Sequence, residues 1–295
     1  MRRASRSHTL PHPEQLELRI LPTVKVNFNP NSGLLKITWD NAANRIDIEG
    51  LDTGKVEVFI DLVLFDSFEG VKSIKANLKG GDDELQMSAV RIDGSLNVKT
   101  GSGADEVDMD DNIELGSGTD TFNAVGLTGK FNLGGNVGDR IDFDDAIFFG
   151  KDVVMTGVAD VDLNGDGVVA GFEVDDIVFF ENLTINLSGK GDVDGDNLEV
   201  DIDNVVVFMK TNINGSNASE RIQITQSAFA EDFKLNLDDG DDVVRIDNGA
   251  ANANLFGAAA IFNGGDDNDT LFLGIDGIDN GFADPPTILN FETVI

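Results

Sequence analysis

Residues 162 to 173 read DLNGDGVVAGFE, with an oxygen-bearing side chain at alternate positions ahead of a glycine. Calcium takes six to eight hard oxygens at about 2.3–2.6 Å, so one short segment can supply them only by alternating its ligands and then turning sharply. Asp162, Asn164 and Asp166 hold the alternating positions, and Gly167 permits the turn. Val168 offers a backbone carbonyl, Ala170 leaves space for a water, and Glu173 closes the shell with both carboxylate oxygens. The candidate metal ligands are Asp162, Asn164, Asp166, Val168 and Glu173, and the candidate cofactor is Ca2+. Magnesium, which prefers a smaller and fixed octahedron, is the weaker fit.

Crowding of charge supports a cation independently. Asp160, Asp162, Asp166, Glu173, Asp175 and Asp176 all fall within residues 160–176. Two carboxylates about 5 Å apart repel by roughly 0.8 kcal/mol even in water, and a divalent ion reverses that repulsion. The alternative is a plain Asp/Asn/Gly turn that holds no ion. The spacing fits the EF-hand template D-x-[DN]-x-[DN]-G-x5-E throughout. Its flanks, DVVMTGVA and VDDIVFFENLTI, are β-branched and strand-like where an EF-hand has helices. The loop therefore resembles the single calcium loops of dockerin-like extracellular modules, set here between strands.

Composition narrows what surrounds the loop. The chain has 295 residues, 41% of them hydrophobic, with 54 acids against 21 bases and a net charge of -33. Such a balance opposes nucleic acid and anionic membranes as partners. Cysteine is absent, which removes disulfides and thiolate metal sites. The two histidines, His8 and His12, both lie in the basic tail of residues 1–23, so the folded part has no histidine base and no histidine-bound zinc. Tyr is absent and Trp39 is the single Trp, which leaves little for a tryptophan-lined sugar platform. No apolar run is long enough to span a membrane, and the tail lacks the apolar core of a secretory signal.

Aspartate supplies 40 of the 54 acids, and with 33 glycines it points to many tight turns between short strands. The turns repeat. The unit G-x-D-x-Φ-x-Φ, with Φ apolar, occurs as GDDELQM from Gly81, GADEVDM from Gly103, GTDTFNA from Gly118 and GDDVVRI from Gly240. Looser copies start at Ala42, Val137, Asp194, Ala218 and Asp267. Their apolar anchors are Leu85, Val107, Phe122, Ile141, Ile177, Leu198, Ile222, Val244 and Leu271, at spacings clustering near 20 residues. That interval is too short for a propeller blade and suits one coil of a parallel β-solenoid.

The predicted fold is all-β: a parallel β-helix of roughly ten to twelve coils spanning 24–295. VKVNFNPNSGLLKITWD forms a hairpin-like cap at its start, and the calcium loop 160–176 is inserted in the stack. At each corner, Gly takes positive φ and Asp bonds its own backbone. Φ-Asn-Φ triplets around Asn77, Asn97, Asn132, Asn186 and Asn236 predict an amide ladder, and Arg-Ile-Asp at 45–47, 91–93, 140–142 and 245–247 predicts a ladder of opposite charges. Twenty Phe residues supply much of the core, with rings stacked from coil to coil.

Two further resemblances bear on function. TGSGADEVD (Thr100–Asp108) and LGSGTDTFN (Leu115–Asn123) are similar to the calcium-binding nonapeptide GGxGxDxUx of RTX proteins, lacking only its first Gly, and GGDDNDTLF from Gly264 is a looser copy. The copies lie 15 residues apart rather than nine, so the resemblance implies isolated sites near Asp105, Asp120 or Asp269 rather than a continuous calcium roll. Asp192, Asp194 and Asp196 form a comparable acidic turn. Leu16–Pro22 (LELRILP) resembles the LEPRxLL motif of large bacterial extracellular proteins, matching at Leu16, Glu17, Arg19 and Leu21. Together these imply a non-catalytic extracellular or cell-surface module with a structural or adhesion role. Its implied partners are calcium and polysaccharide, cell-surface or matrix components. The alternative, by analogy of fold, is a calcium-dependent polysaccharide lyase or glycosidase, with Lys151, Lys190 or Arg140 as its basic group.

Overall fold

A computed structural model of the chain describes residues 24–52, 54–110, 114–115, 129–132, 140–144, 148–158, 172–187, 200–246, 253–274 and 280–295. All regular structure in these residues is β-strand, gathered into sheets of eleven, twelve and seven strands. No helix among them is long and apolar enough to cross a membrane.

The chain visits the three sheets in rotation. Thr211–Asn214 lies in the first sheet, Arg221–Thr225 in the second and Ala228–Phe229 in the third. Phe233–Asn236, Val243–Arg245 and Leu255–Phe256 then repeat that order, each parallel to its predecessor. Parallel pairing of short strands requires such crossover travel, here made through the other two sheets.

Alternation sorts the side chains. Leu183–Leu187 (LTINL) buries Leu183, Ile185 and Leu187 and turns Thr184 and Asn186 outward. The second sheet stacks one core residue per strand in a continuous row: Ile46, Leu85, Val107, Ile141, Phe172, Val200, Ile222, Val244 and Leu271. All nine are fully buried. The anchors expected at Ile177 and Leu198 are thus replaced by Phe172 and Val200. Ile177 is buried outside this row, at the entry to the third sheet's Val178–Phe179 strand, and Leu198 lies outside the described residues. Phe122 also lies outside them, and the row passes directly from Val107 to Ile141. Hydrogen-bonded neighbours on adjacent strands are 22 residues apart at Asp83 and Asp105, 27 at Asp242 and Asp269 and 34 at Glu106 and Arg140. The circuits so measured run from 22 to 34 residues, at and above the expected spacing of about 20.

Phe rings stack along the third sheet. Phe229 and Phe256 lie 5.3 Å apart at 18°, and Phe256 and Phe282 lie 4.8 Å apart at 7°. The expected amide ladder forms only in part: Asn214 donates to Asn186 at 2.8 Å and Asn290 to Asn263 at 2.9 Å, whereas Asn77 and Asn97 fall in different rows, opposite Lys99 and Lys75.

At the start of the stack Lys25–Asn29 pairs antiparallel with Leu34–Thr38, the expected hairpin. A second antiparallel element was not expected. Arg45–Asp52 joins the parallel row through Glu84–Ser88, then folds back into Lys55–Ile60 and Val63–Glu69 and extends the second sheet. Val63, Leu64 and Phe65 are exposed on that last, edge strand.

Candidate functional site

Of the calcium-loop ligands, Asp162, Asn164, Asp166 and Val168 lie outside the described residues, and Glu173 lies within them. Glu173 projects outward from the Phe172–Asp175 strand, because Phe172 and Val174 on either side are buried. Its row along the second sheet runs Asp108, Asp142, Glu173, Asp201 and Gln223. Two residues further along the strands, Asp175 pairs with Asp203, and Asp144 follows the strand end at Phe143. Strand spacing of about 4.8 Å puts successive carboxylates of a row in electrostatic contact.

Arg140 is the cation among them. Its guanidinium reaches Asp142 Oδ2 at 2.7 Å, Glu173 Oε2 at 3.0 Å and Glu106 Oε1 at 3.1 Å. Burial works against the Arg140 charge, but Asp142, Glu173 and Glu106 outweigh it and raise the pKa above its ordinary value. One guanidinium does not balance the patch. Burial, reinforced by neighbouring carboxylates against a weaker pull from Arg140, pushes Asp142 up to about 6. Asp175 and Asp201 are pushed to about 6 by burial and then by like charges. Asp201 Oδ1 is buried with no hydrogen-bond partner among the described residues. The donor set therefore suits a hard cation in kind, with hard oxygens, surplus negative charge and an orphaned acceptor. Yet no group of three or more carboxylates among the described residues closes around one point as a metal shell does. Glu173 is bound to Arg140 and would have to leave it to hold calcium.

The Arg-Ile-Asp triplets divide. Arg45 pairs with Asp47 at 2.9 Å and Glu84 at 2.7 Å, and Arg140 with Asp142, so two of the four build opposite-charge rungs. Arg91 lies off the strands. Arg245 sits over the Phe272 ring at 4.3 Å, and Asp247 is outside the described residues. Of the bases considered for a lyase, Lys151 lies 3.8 Å from Glu181, Arg140 serves the rungs just described, and Lys190 is outside the described residues.

The third residue of the G-x-D-x-Φ unit has a role that sequence reasoning assigned incorrectly. It does not bond its own backbone. Asp83 Oδ1 accepts the N–H of Asn44 at 3.0 Å, and Asp105 Oδ1 accepts that of Asp83 at 3.1 Å. Asp242, Asp269 and Glu292 accept from Glu220, Asp242 and Asp269 at 2.7, 2.9 and 2.8 Å. Each carboxyl thus clips its own turn to the equivalent turn of the neighbouring circuit. Asp83, Asp105, Glu220, Asp242 and Asp269 are almost wholly buried, and Asp83, Glu220, Asp242 and Asp269 each have a second oxygen that meets no N–H donor among the described residues. Such an oxygen is costly to bury ionised and cheap to bury protonated. Burial accordingly pushes Asp83 up to about 7 and raises Asp105 and Asp269. Glu220 and Asp242 are raised by burial too, and a hydrogen bond between the two carboxyls requires that one keep its proton.

These are the turns that resemble RTX nonapeptides. Asp105 and Asp269 stand in the buried ladder, while Asp120, Asp192, Asp194 and Asp196 lie outside the described residues, as does Leu16–Pro22. No family model, curated protein or solved structure matches the chain.

Proposed function

We propose that the protein is a non-catalytic, extracellular, calcium-binding β-solenoid of roughly ten to twelve coils, with a structural, surface or adhesion role. The observation that supports this best is the double acidic row on the second sheet. Arg140 pairs with Asp142 and Glu173 in the row that continues to Asp201; Asp144, Asp175 and Asp203 stand beside that row, and the loop that begins at Asp160 adjoins it in sequence. Calcium held by Asp162, Asn164, Asp166, Val168 and Glu173 would supply the missing positive charge where the rows meet the loop. It would tie neighbouring circuits together and stiffen the stack. A ligand that binds only the folded state stabilises it by RT ln(1 + [L]/Kd), about 2.7 kcal/mol at a hundredfold excess over Kd. Outside the cell, where calcium is abundant, that contribution is fully available.

Thermal unfolding with calcium and with a chelator tests this reading, on the wild type and on Glu173→Gln. The expected result is a higher midpoint with calcium, and a calcium-induced shift in Glu173→Gln reduced to less than half. The shift, not the midpoint itself, is the quantity to compare, because the substitution also removes a bond to Arg140. No calcium-induced shift in the wild type removes calcium from the reading. An undiminished shift in Glu173→Gln moves the site to the repeat turns.

A further inference from the structure

The strands of the first sheet are KVNFN, LLKIT, SIKANLKG, LNVKTGS, GKFN, VVMTGV, LTINL, TNIN, FKLN, AIFN and TIL. None contains an acidic residue, in a chain that has 54. Their outward positions hold mostly lysine, asparagine and threonine, ordered by the register, with Leu34, Val154, Ile261 and Leu289 as apolar exceptions. Lys36, Lys75, Asn97 and Lys130 form one row across four neighbouring strands. Lys25, Thr38, Asn77, Lys99 and Asn132 form the adjacent row, two residues along. Lys25, Lys36, Lys75, Lys99 and Lys130 are exposed, and none is in an ion pair among the described residues, whereas Lys55, Lys151 and Lys210 are. The second sheet, by contrast, carries Glu84, Glu106, Asp108, Asp142, Glu173 and Asp201 outward. A face free of acid on so acidic a chain is a local field of opposite sign to the molecule.

We propose that this lysine–asparagine face binds a linear acidic polysaccharide laid along the solenoid axis. Charge complementarity selects an anion, and the rest of the face selects its kind. The rows step by about 4.8 Å per strand, so Lys36 and Lys130 are about 14 Å apart with an amide between Lys75 and Lys130. A polymer whose carboxylates are separated by hydroxyls matches that alternation: ammonium for carboxylate, amide and threonine hydroxyl for sugar hydroxyl. Nucleic acid matches less well, because this region of the face turns out no aromatic ring on which a base could stack, and a net charge of -33 repels so dense a polyanion. A second copy of the chain would bring the same -33, and the acids of its second sheet are partly engaged by Arg45 and Arg140.

The test is retardation of the full chain in native gels cast with polygalacturonate, compared with neutral dextran. Three variants accompany the wild type: Lys36→Glu/Lys75→Glu/Lys130→Glu on the face, its glutamine counterpart, and Lys55→Glu/Lys151→Glu/Lys210→Glu elsewhere. The two glutamate triples have the same net charge, so only position distinguishes them. Retardation by polygalacturonate alone is expected, weakened about tenfold or more in the face triple, partly in the glutamine variant and little in the control triple. Runs with calcium and with chelator, each with a circular-dichroism check of folding, separate this from calcium bridging, which the lysine substitutions leave intact. A chain that melts early only in chelator is what the calcium reading expects, and the lysine face is then judged from the runs with calcium. Absence of retardation, equal weakening in both glutamate triples, or equal retardation by dextran overturns the proposal. So does equally tight binding to single-stranded DNA or to anionic vesicles, and so does self-association that the face triple abolishes.

Discussion

Asp242 carries two opposed demands in one side chain. Its Oδ1 holds the Glu220 N–H of the next circuit, while its Oδ2 is buried without a donor unless one of the two carboxyls keeps a proton. Raised carboxyl pKa values have a definite consequence for stability. An ordinary unfolded carboxyl titrates near 4, so between that pH and the raised folded values the native state binds more protons than the unfolded chain. The stability these carboxyls contribute is complete below about pH 4 and is lost as pH rises, through about 7 for Asp83 and through the raised values of Glu220 and Asp242. The unfolding midpoint is therefore expected to fall steadily from pH 5 to pH 9 in the presence of chelator. Asp242→Asn keeps the Oδ1 acceptor and adds a neutral donor where the orphaned oxygen stood, so its pH profile should be flatter than the wild type's. An unchanged slope in that variant would remove the ladder as the source of the pH dependence.

At the scale of the element, the corner is built by contact between backbones. Gly103 has φ +136, and a Cβ there would stand 1.8 Å from the Gly81 carbonyl oxygen of the neighbouring circuit. Gly240 repeats the arrangement with φ +133 against Ala218. No side chain fits such an approach, and only glycine adopts that backbone freely. Gly103→Ala should cost at least about 2 kcal/mol in urea unfolding, with the stacking of the Leu96–Ser102 strand on Ser73–Gly80 disturbed first. A loss under 0.5 kcal/mol, within the usual range for neutral surface changes of about that size, would show that the corner adjusts easily.

At the scale of the whole molecule, the strands of the first sheet carry lysine and no acid, the second sheet carries rows of acids with Arg45 and Arg140 among them, and the net charge is -33. Self-repulsion opposes the compact state, and salt screens it over a Debye length of about 30 Å at 0.01 M and about 8 Å at 0.15 M. Raising salt across that range, with chelator present, should raise the unfolding midpoint by several degrees. A fall would mean that the surface ion pairs outweigh the repulsion.

What the sequence determined by itself is whatever a local pattern imposes. Alternation and the G-x-D-x-Φ units implied parallel strands with a glycine corner; Asn-Pro-Asn-Ser-Gly implied the first hairpin; twenty phenylalanines implied stacked rings. Each follows from constraints within a few residues: the side-chain period of a strand, the φ that glycine permits, the volume of a ring. Only tertiary structure decided the rest, because it depends on which residue lies one circuit away. Phe172 rather than Ile177 enters the core row, the repeat aspartate clips the neighbouring turn instead of its own, and Lys55–Ile60 folds back on Arg45–Asp52. Likewise Glu173, chosen by spacing as a calcium ligand, stands against Arg140, 33 residues away. The lysine face shows the same limit: its members are scattered singly along the chain, and only the register of parallel strands collects them into rows.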